Sequence, residues 1–167
     1  EKQAECRAKI KKASHLLLEL INEVLDMSKL ESDEVVLEEI PFNLNSIFEE
    51  ILGVIEHMAA EQNIRIIWEE KEVTHWNLIG SPVHVKRILM NILSNAVKYT
   101  LKGTVTIIVS EEKKLTVTDT GMGIAPEDLP RIFEKGYTGY NGRMERKSTG
   151  IGLYLSQMAA KKLGHQI

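Results

Sequence analysis

Between Glu1 and Leu30, apolar residues recur in alternating steps of four and three: Cys6, Ile10, Ala13, Leu17, Leu20, Val24 and Met27. That spacing predicts one long helix with a heptad seam. Leu16, Leu18, Ile21 and Leu25 widen the stripe beyond a two-stranded coil, so the helix is expected to need partner helices. The seam stops at Glu31-Ser32-Asp33-Glu34, and VVLEEIPF reads as a short extended connector, with Pro41 disfavouring helix just before it. Helical spacing returns from Asn43 to Gln62, with Asn43 or Asn45 as its cap. IRIIW and WNLIG are predicted strands, and Ser81-Pro82 opens a helix carrying Val85, Ile88, Leu89, Ile92, Leu93 and Ala96 inward. KGTVTIIVS and EEKKLTVTD predict two further strands around a charged turn. APEDLPRIF predicts a short helix, and a last helix runs from about Gly150 to Leu163 with Gly164 as its C-cap.

These elements predict an α+β chain: a bundle helix, then a two-layer α/β sandwich with helices on one face of a mixed sheet. The expected units are 1–34 (bundle helix), 35–42 (connector) and 43–167 (sandwich). The length, 167 residues, fits one domain or one domain plus an appended element. A net charge of −3 lacks the basic excess of a nucleic-acid surface. The single cysteine, Cys6, excludes an intrachain disulfide and suits a reducing compartment. No apolar run approaches membrane-spanning length, so a membrane is expected only through segments outside this sequence.

Seven of the 11 glycines lie between Gly121 and Gly152. That density draws the eye to DTGMGI, where glycines follow the strand LTVTD and its closing carboxylate, Asp119. At Gly150-Ile151-Gly152-Leu153-Tyr154 a second glycine pair meets a helix start, a good end for an anion. Thr149 and Ser148 add hydroxyls there, and Arg143, Arg146 and Lys147 precede them. In NILSNAVKY, Asn91 and Asn95 stand four apart on one helix face, with Lys98 three further on. A polar strip beside a core strip is costly unless it lines a site. Amide oxygen is a hard ligand suited to Mg²⁺, and lysine suits phosphate.

In order and wording these segments resemble the sensor histidine kinases, whose catalytic domain has the Bergerat ATP-binding fold. NILSNAVKYT resembles that family's N box, DTGMGI its G1 box, RIFEKGY its F box and STGIGLYL its G2 box. HLLLELINEVLDMSKLES resembles the second helix of the dimerisation and phosphotransfer domain. The resemblance implies ATP and Mg²⁺ as ligands. It implies that Asp119 recognises the adenine amine, that Gly121 and Gly123 admit the nucleotide, and that Asn95 holds the metal. Asn91 and Lys98 would face the phosphates as catalytic groups, with Tyr99 near. Ile124 and Ile107 would wall the adenine. Phe133 and Lys135 would stand at the base of a phosphate-side lid that Gly150 and Gly152 hinge, with Thr149 and Leu153 beside them. The implied partners are a second copy through the N-terminal helix and a response-regulator receiver domain, in the cytoplasm.

Two features depart from the family pattern. The phosphoacceptor motif is missing. His15 falls at an outer heptad position without an adjacent carboxylate and reads as a surface residue. The accepting histidine is expected upstream of Glu1, and a closing strand pair beyond Ile167. Gyrase-like and Hsp90-like ATPases of the same fold place a glutamate where Asn91 stands. An amide cannot take a proton from water, so Asn91 favours phosphoryl transfer over hydrolysis. Anti-sigma-factor kinases lack the bundle helix, and a nucleotide-free dimerisation module would not need Asp119, Asn95 and both glycine pairs.

Overall fold

The computed structural model describes residues 2–32, 37–111, 114–139 and 148–167. Its helices are α1 (Lys2–Glu31), α2 (Leu44–Glu61), α3 (Pro82–Lys98) and α4 (Gly152–Lys162). The strands are β1 (Ile40–Asn43), β2 (Ile64–Lys71), β3 (Asn77–Gly80), β4 (Gly103–Ser110) and β5 (Lys114–Asp119).

β4 is the central strand of a three-stranded mixed sheet, parallel to β2 and antiparallel to β5. Its side chains alternate: Val105, Ile107 and Val109 are buried, while their neighbours are half-buried. The buried face meets Ile47, Phe48, Ile51, Ile55 and Ala59 of α2 and Leu89, Leu93, Ala96 and Val97 of α3 in one core. Thus the period of 2 in the strand and of 3.6 in both helices point at the same layer. Phe48 packs its ring 4.6 Å from Trp68 and 6.5 Å from Trp76, so both tryptophans close the core's edge. Of the two possible caps of α2, Asn43 is the one used: its Oδ1 accepts the Ser46 N–H at 3.2 Å. Asn45 instead donates to Glu49, one turn on.

Three expectations change. The connector does not stay single, because Ile40–Asn43 pairs antiparallel with β3 as a separate two-stranded ribbon, Ile40 opposite Gly80 and Asn43 opposite Asn77. APEDLPRIF forms only a 3₁₀ turn at Leu129–Arg131, since Pro130 offers no N–H and crowds the preceding turn. Ile88 turns away from the main core and packs on α4 with Leu155 and Ala159, while Val97, absent from the predicted inward set, is fully buried.

α4 lies against α3 and α1. Its C-cap is Leu163, one residue before the predicted Gly164, which follows in the left-handed conformation, φ 77°; the Gly164 N–H reaches the Lys161 carbonyl while His165 reaches back to Ala160. Along α1, Ile10, Leu17, Leu18, Ile21, Val24 and Leu25 are exposed. Cys6, placed on the seam, is exposed too. No helix among the described residues is long and apolar enough to cross a membrane.

Candidate functional site

The C-terminal end of α3 carries Asn95, Lys98 and Tyr99, all half-buried. Tyr99 caps the helix by donating its N–H to the Asn95 carbonyl at 3.0 Å. Its own carbonyl accepts the Met122 N–H at 3.1 Å, which hangs the turn after β5 on the end of α3. Within that turn the Gly121 N–H donates to Asp119 Oδ1 at 2.9 Å. The carboxylate is thereby oriented and still has lone pairs to offer, since one such bond uses few of them. A Cβ on residue 121 would lie 2.5 Å from the Tyr99 carbonyl oxygen and 2.7 Å from Asp119 Oδ1. Only glycine lets the strand end and the helix end meet this closely. Lys98 places its ammonium 5.0 Å from the centre of the Tyr99 ring. Asp119 is exposed, and Ile124, two residues past the turn, is 48% exposed. Ile107 is fully buried in the main core, on the helix side of β4.

Asn91, one turn earlier on α3, joins the two helices. Its Nδ2 donates to Ser156 Oγ of α4 at 2.7 Å, and its Oδ1 would sit 2.4 Å from a Cβ on Gly152. The second glycine of the pair is therefore a point of helix contact. Beside it a cavity of about 450 Å³ opens between α3 and α4, walled by Val83, Met90, Leu155 and Ala159, with Lys86 and Arg87 also lining it. Of the predicted site residues it takes in Asn91 and Gly152; Asn95, Lys98 and Asp119 lie outside its lining. Ahead of α4, Thr149 Oγ1 accepts the Ile151 N–H at 3.2 Å, and Gly150 O accepts the Gly136 N–H at 3.0 Å. Leu153 and Phe133 are half-buried.

Lys135, expected at the base of the phosphate side, reaches toward α1. Its Nζ donates to Glu31 Oε1 at 2.8 Å, and the Tyr154 hydroxyl donates to the same oxygen at 3.0 Å. The Lys135 bond, then the Tyr154 bond, hold the Glu31 carboxyl below its ordinary range. The same pairing raises the Lys135 ammonium. Burial first, and Glu31 second, raise the Tyr154 phenol. Nearby, Tyr137 donates to Asp128, and its ring lies 4.2 Å from the Arg131 guanidinium.

The structure thus joins the Asp119–Gly121 turn to Tyr99 at the end of α3, and Asn91 with Gly152 across two helices. Gly123, φ 68°, belongs to the same turn as Asp119. Arg143, Arg146 and Lys147 lie outside the described residues, as does the side chain of His15. Sequence reasoning missed Glu31, Tyr154 and Ser156. Ser156 had a findable signal, a lone serine one residue after Leu155 on the apolar face of α4. Glu31 had none, because it merely ends a helix in a run of charges.

Comparison with known proteins matches residues 80–167 to the family described as histidine kinase-, DNA gyrase B-, and HSP90-like ATPase. The chain is 30% identical over 176 residues to the sensor histidine kinase GacS of Pseudomonas protegens, covering 99% of this chain and 19% of that protein. It is 30% identical to the signal transduction histidine-protein kinase BarA of Escherichia coli, covering 95% of this chain and 18% of the relative. It therefore spans about a fifth of the length of these relatives. Among solved structures, full-length ShkA in complex with AMPPNP superposes with a TM-score of 0.81 at 24% identity, over 98% of this chain and 35% of that one, a likeness of fold.

Proposed function

The chain belongs to the histidine kinase-, DNA gyrase B-, and HSP90-like ATPase family, and we propose that it is the nucleotide-binding catalytic part of a sensor histidine kinase. The observation that carries this reading is the Asp119–Gly121–Tyr99 turn, which sets an oriented carboxylate against the helix bearing Asn95 and Lys98. The donor set fits Mg·ATP: a carboxylate for an exocyclic amine, hard amide oxygens for a divalent cation and an ammonium for phosphate. When bound, ATP supplies the γ-phosphoryl group and Mg²⁺ neutralises its charge.

The residues then have these roles. Asp119 accepts a hydrogen bond from the adenine amine, its orientation fixed by the Gly121 N–H. Ile124 offers exposed apolar surface to the base. Asn95 holds the metal, and Lys98 meets the phosphates. Asn91 aligns α3 with α4, so that the α4 N-terminus, with Gly152 and Leu153 in its first turn, presents its N–H groups to the phosphate end. An amide at position 91 leaves no carboxylate to deprotonate water, which favours transfer to a side chain. The acceptor is a histidine on a helix that pairs with the exposed seam of α1, and an aspartate of a receiver domain takes the group next. The same seam, Ile10, Leu17, Leu18, Ile21, Val24 and Leu25, suits a second copy in a four-helix arrangement.

Titration with a non-hydrolysable ATP analogue tests the reading. Asp119→Asn turns one acceptor oxygen into a donor, and binding is expected to fall at least about a hundredfold while the circular dichroism stays native. Asn95→Ala is expected to weaken binding more with Mg²⁺ than without it. Unchanged affinity in Asp119→Asn would sink the proposed pocket, and equal losses with and without metal would remove Asn95 as the ligand.

A further inference from the structure

Glu31 is the last residue of α1, and it is bonded to two residues that sit on either side of a backbone tie. Lys135 immediately precedes Gly136, whose N–H is held by Gly150 at 3.0 Å. Tyr154 follows Gly152 by two positions, inside the first turn of α4. One carboxylate oxygen accepts from both, at 2.8 and 3.0 Å. Met27, one turn earlier on α1, packs on Leu155 and Ala159 of α4, so the contact has an apolar footing. α1 is therefore docked on Lys135 and on the first turn of α4, the end read above as the phosphate side.

We propose that Glu31 competes with the nucleotide's phosphates for Lys135, so that docking of the bundle helix lowers nucleotide affinity. This rests on the reading of Asp119 and Asn95 as a nucleotide site. The physical reason is charge. A triphosphate and a carboxylate are rival acceptors for one ammonium, and an ammonium is a compact point charge that swings on a flexible stem. The rivalry is even enough to matter because the present pair is exposed: Glu31 keeps 38% and Lys135 49% of side-chain surface open to water. Exposed ion pairs are weak and easily traded. Glu31 thus acts as a positioning residue. It makes nucleotide binding depend on where α1 sits, and so on whatever moves the bundle.

The test compares two probes on the full 167-residue chain. Glu31→Gln keeps shape and a hydrogen-bond acceptor but removes the charge. It is expected to tighten a non-hydrolysable ATP analogue about threefold at low salt, the gain shrinking as salt rises. Adenosine, which lacks phosphate, should bind as before. Adding Lys135→Met should erase the gain. A purely structural role would shift both probes together, so equal shifts, or a gain that survives Lys135→Met, would overturn the proposal. No gain for the analogue in Glu31→Gln would overturn it as well. Asp119→Asn serves as the separate check: if that variant binds both probes normally, the nucleotide site itself has been misplaced.

Discussion

Gly121 and Gly123 sit two residues apart and are glycine for different reasons. At 121 the obstacle is backbone: a Cβ would press on the Tyr99 carbonyl, which cannot rotate away. At 123 nothing lies within 4 Å, and the obstacle is φ 68°, a conformation other L-residues adopt at a cost. Gly121→Ala is therefore expected to lose about 1–3 kcal/mol of stability and to weaken nucleotide binding by splaying the turn. Gly123→Ala should cost about 1 kcal/mol and leave the contact with α3 in place. Urea unfolding of both variants, paired with analogue titration, checks the difference. The sequence alone shows two glycines after a carboxylate. It does not distinguish a steric need from a conformational one, because that depends on where Tyr99 comes to rest. Asn91 teaches the same lesson. Its position on a polar strip was legible, whereas its bond to Ser156, sixty-five residues away, was not.

Among the elements, α2, α3, β4 and β5 were readable because their periods are clean and their ends are marked by Asn43, Pro82, Gly103 and Asp119. Readability failed where proline and pairing compete. Pro41 lacks an N–H, yet β1 is a strand because among the described residues it pairs with β3 alone, and a two-stranded ribbon tolerates an edge proline. Pro130 acted in the opposite sense and held a helical pattern to a single 3₁₀ turn. Burial along α3 also departs from the simplest stripe, since two neighbours share its faces: the sheet takes Leu89, Leu93 and Val97, and α4 takes Ile88. Leu93, fully buried in the main core, is the strongest test of that layering. Leu93→Ala is expected to cost about 2–5 kcal/mol, read from the denaturant midpoint. Val83→Ala, exposed at the start of the same helix, should change it by less than about 0.5 kcal/mol.

For the whole molecule, the contact between α1 and the catalytic unit has a defined pH window. Glu31 is lowered by Lys135 and Tyr154, so its contribution is full above the ordinary carboxylate range and fades as pH falls through the lowered value. Lys135 is raised, so its contribution is full below the ordinary ammonium value and fades as pH rises through the raised one. Docking should be flat from about pH 5 to about pH 10 and loosen at either extreme. Distance measurements between labels at the exposed positions Ser28 on α1 and Lys161 on α4 would follow it; loosening near neutrality would contradict the assignment. The fold class was legible from four motifs in order, and the long first helix from a heptad seam. The docking was not, because it depends on tertiary placement of a charge that looks like ordinary helix-end solvation.

The ribbon of β1 and β3 has a mechanical consequence. The first described element after α1 begins at Ile40, at one end of a four-residue antiparallel pair that stands apart from the mixed sheet. A pull passed along the chain from α1 is shared between that ribbon, with the Leu44 N–H held on the Trp76 carbonyl, and the contact of α1 with α4. Like the sleeve where a cable meets its plug, that ribbon lies between the incoming chain and the soldered joints, β2, β4 and β5 with the helices upon them.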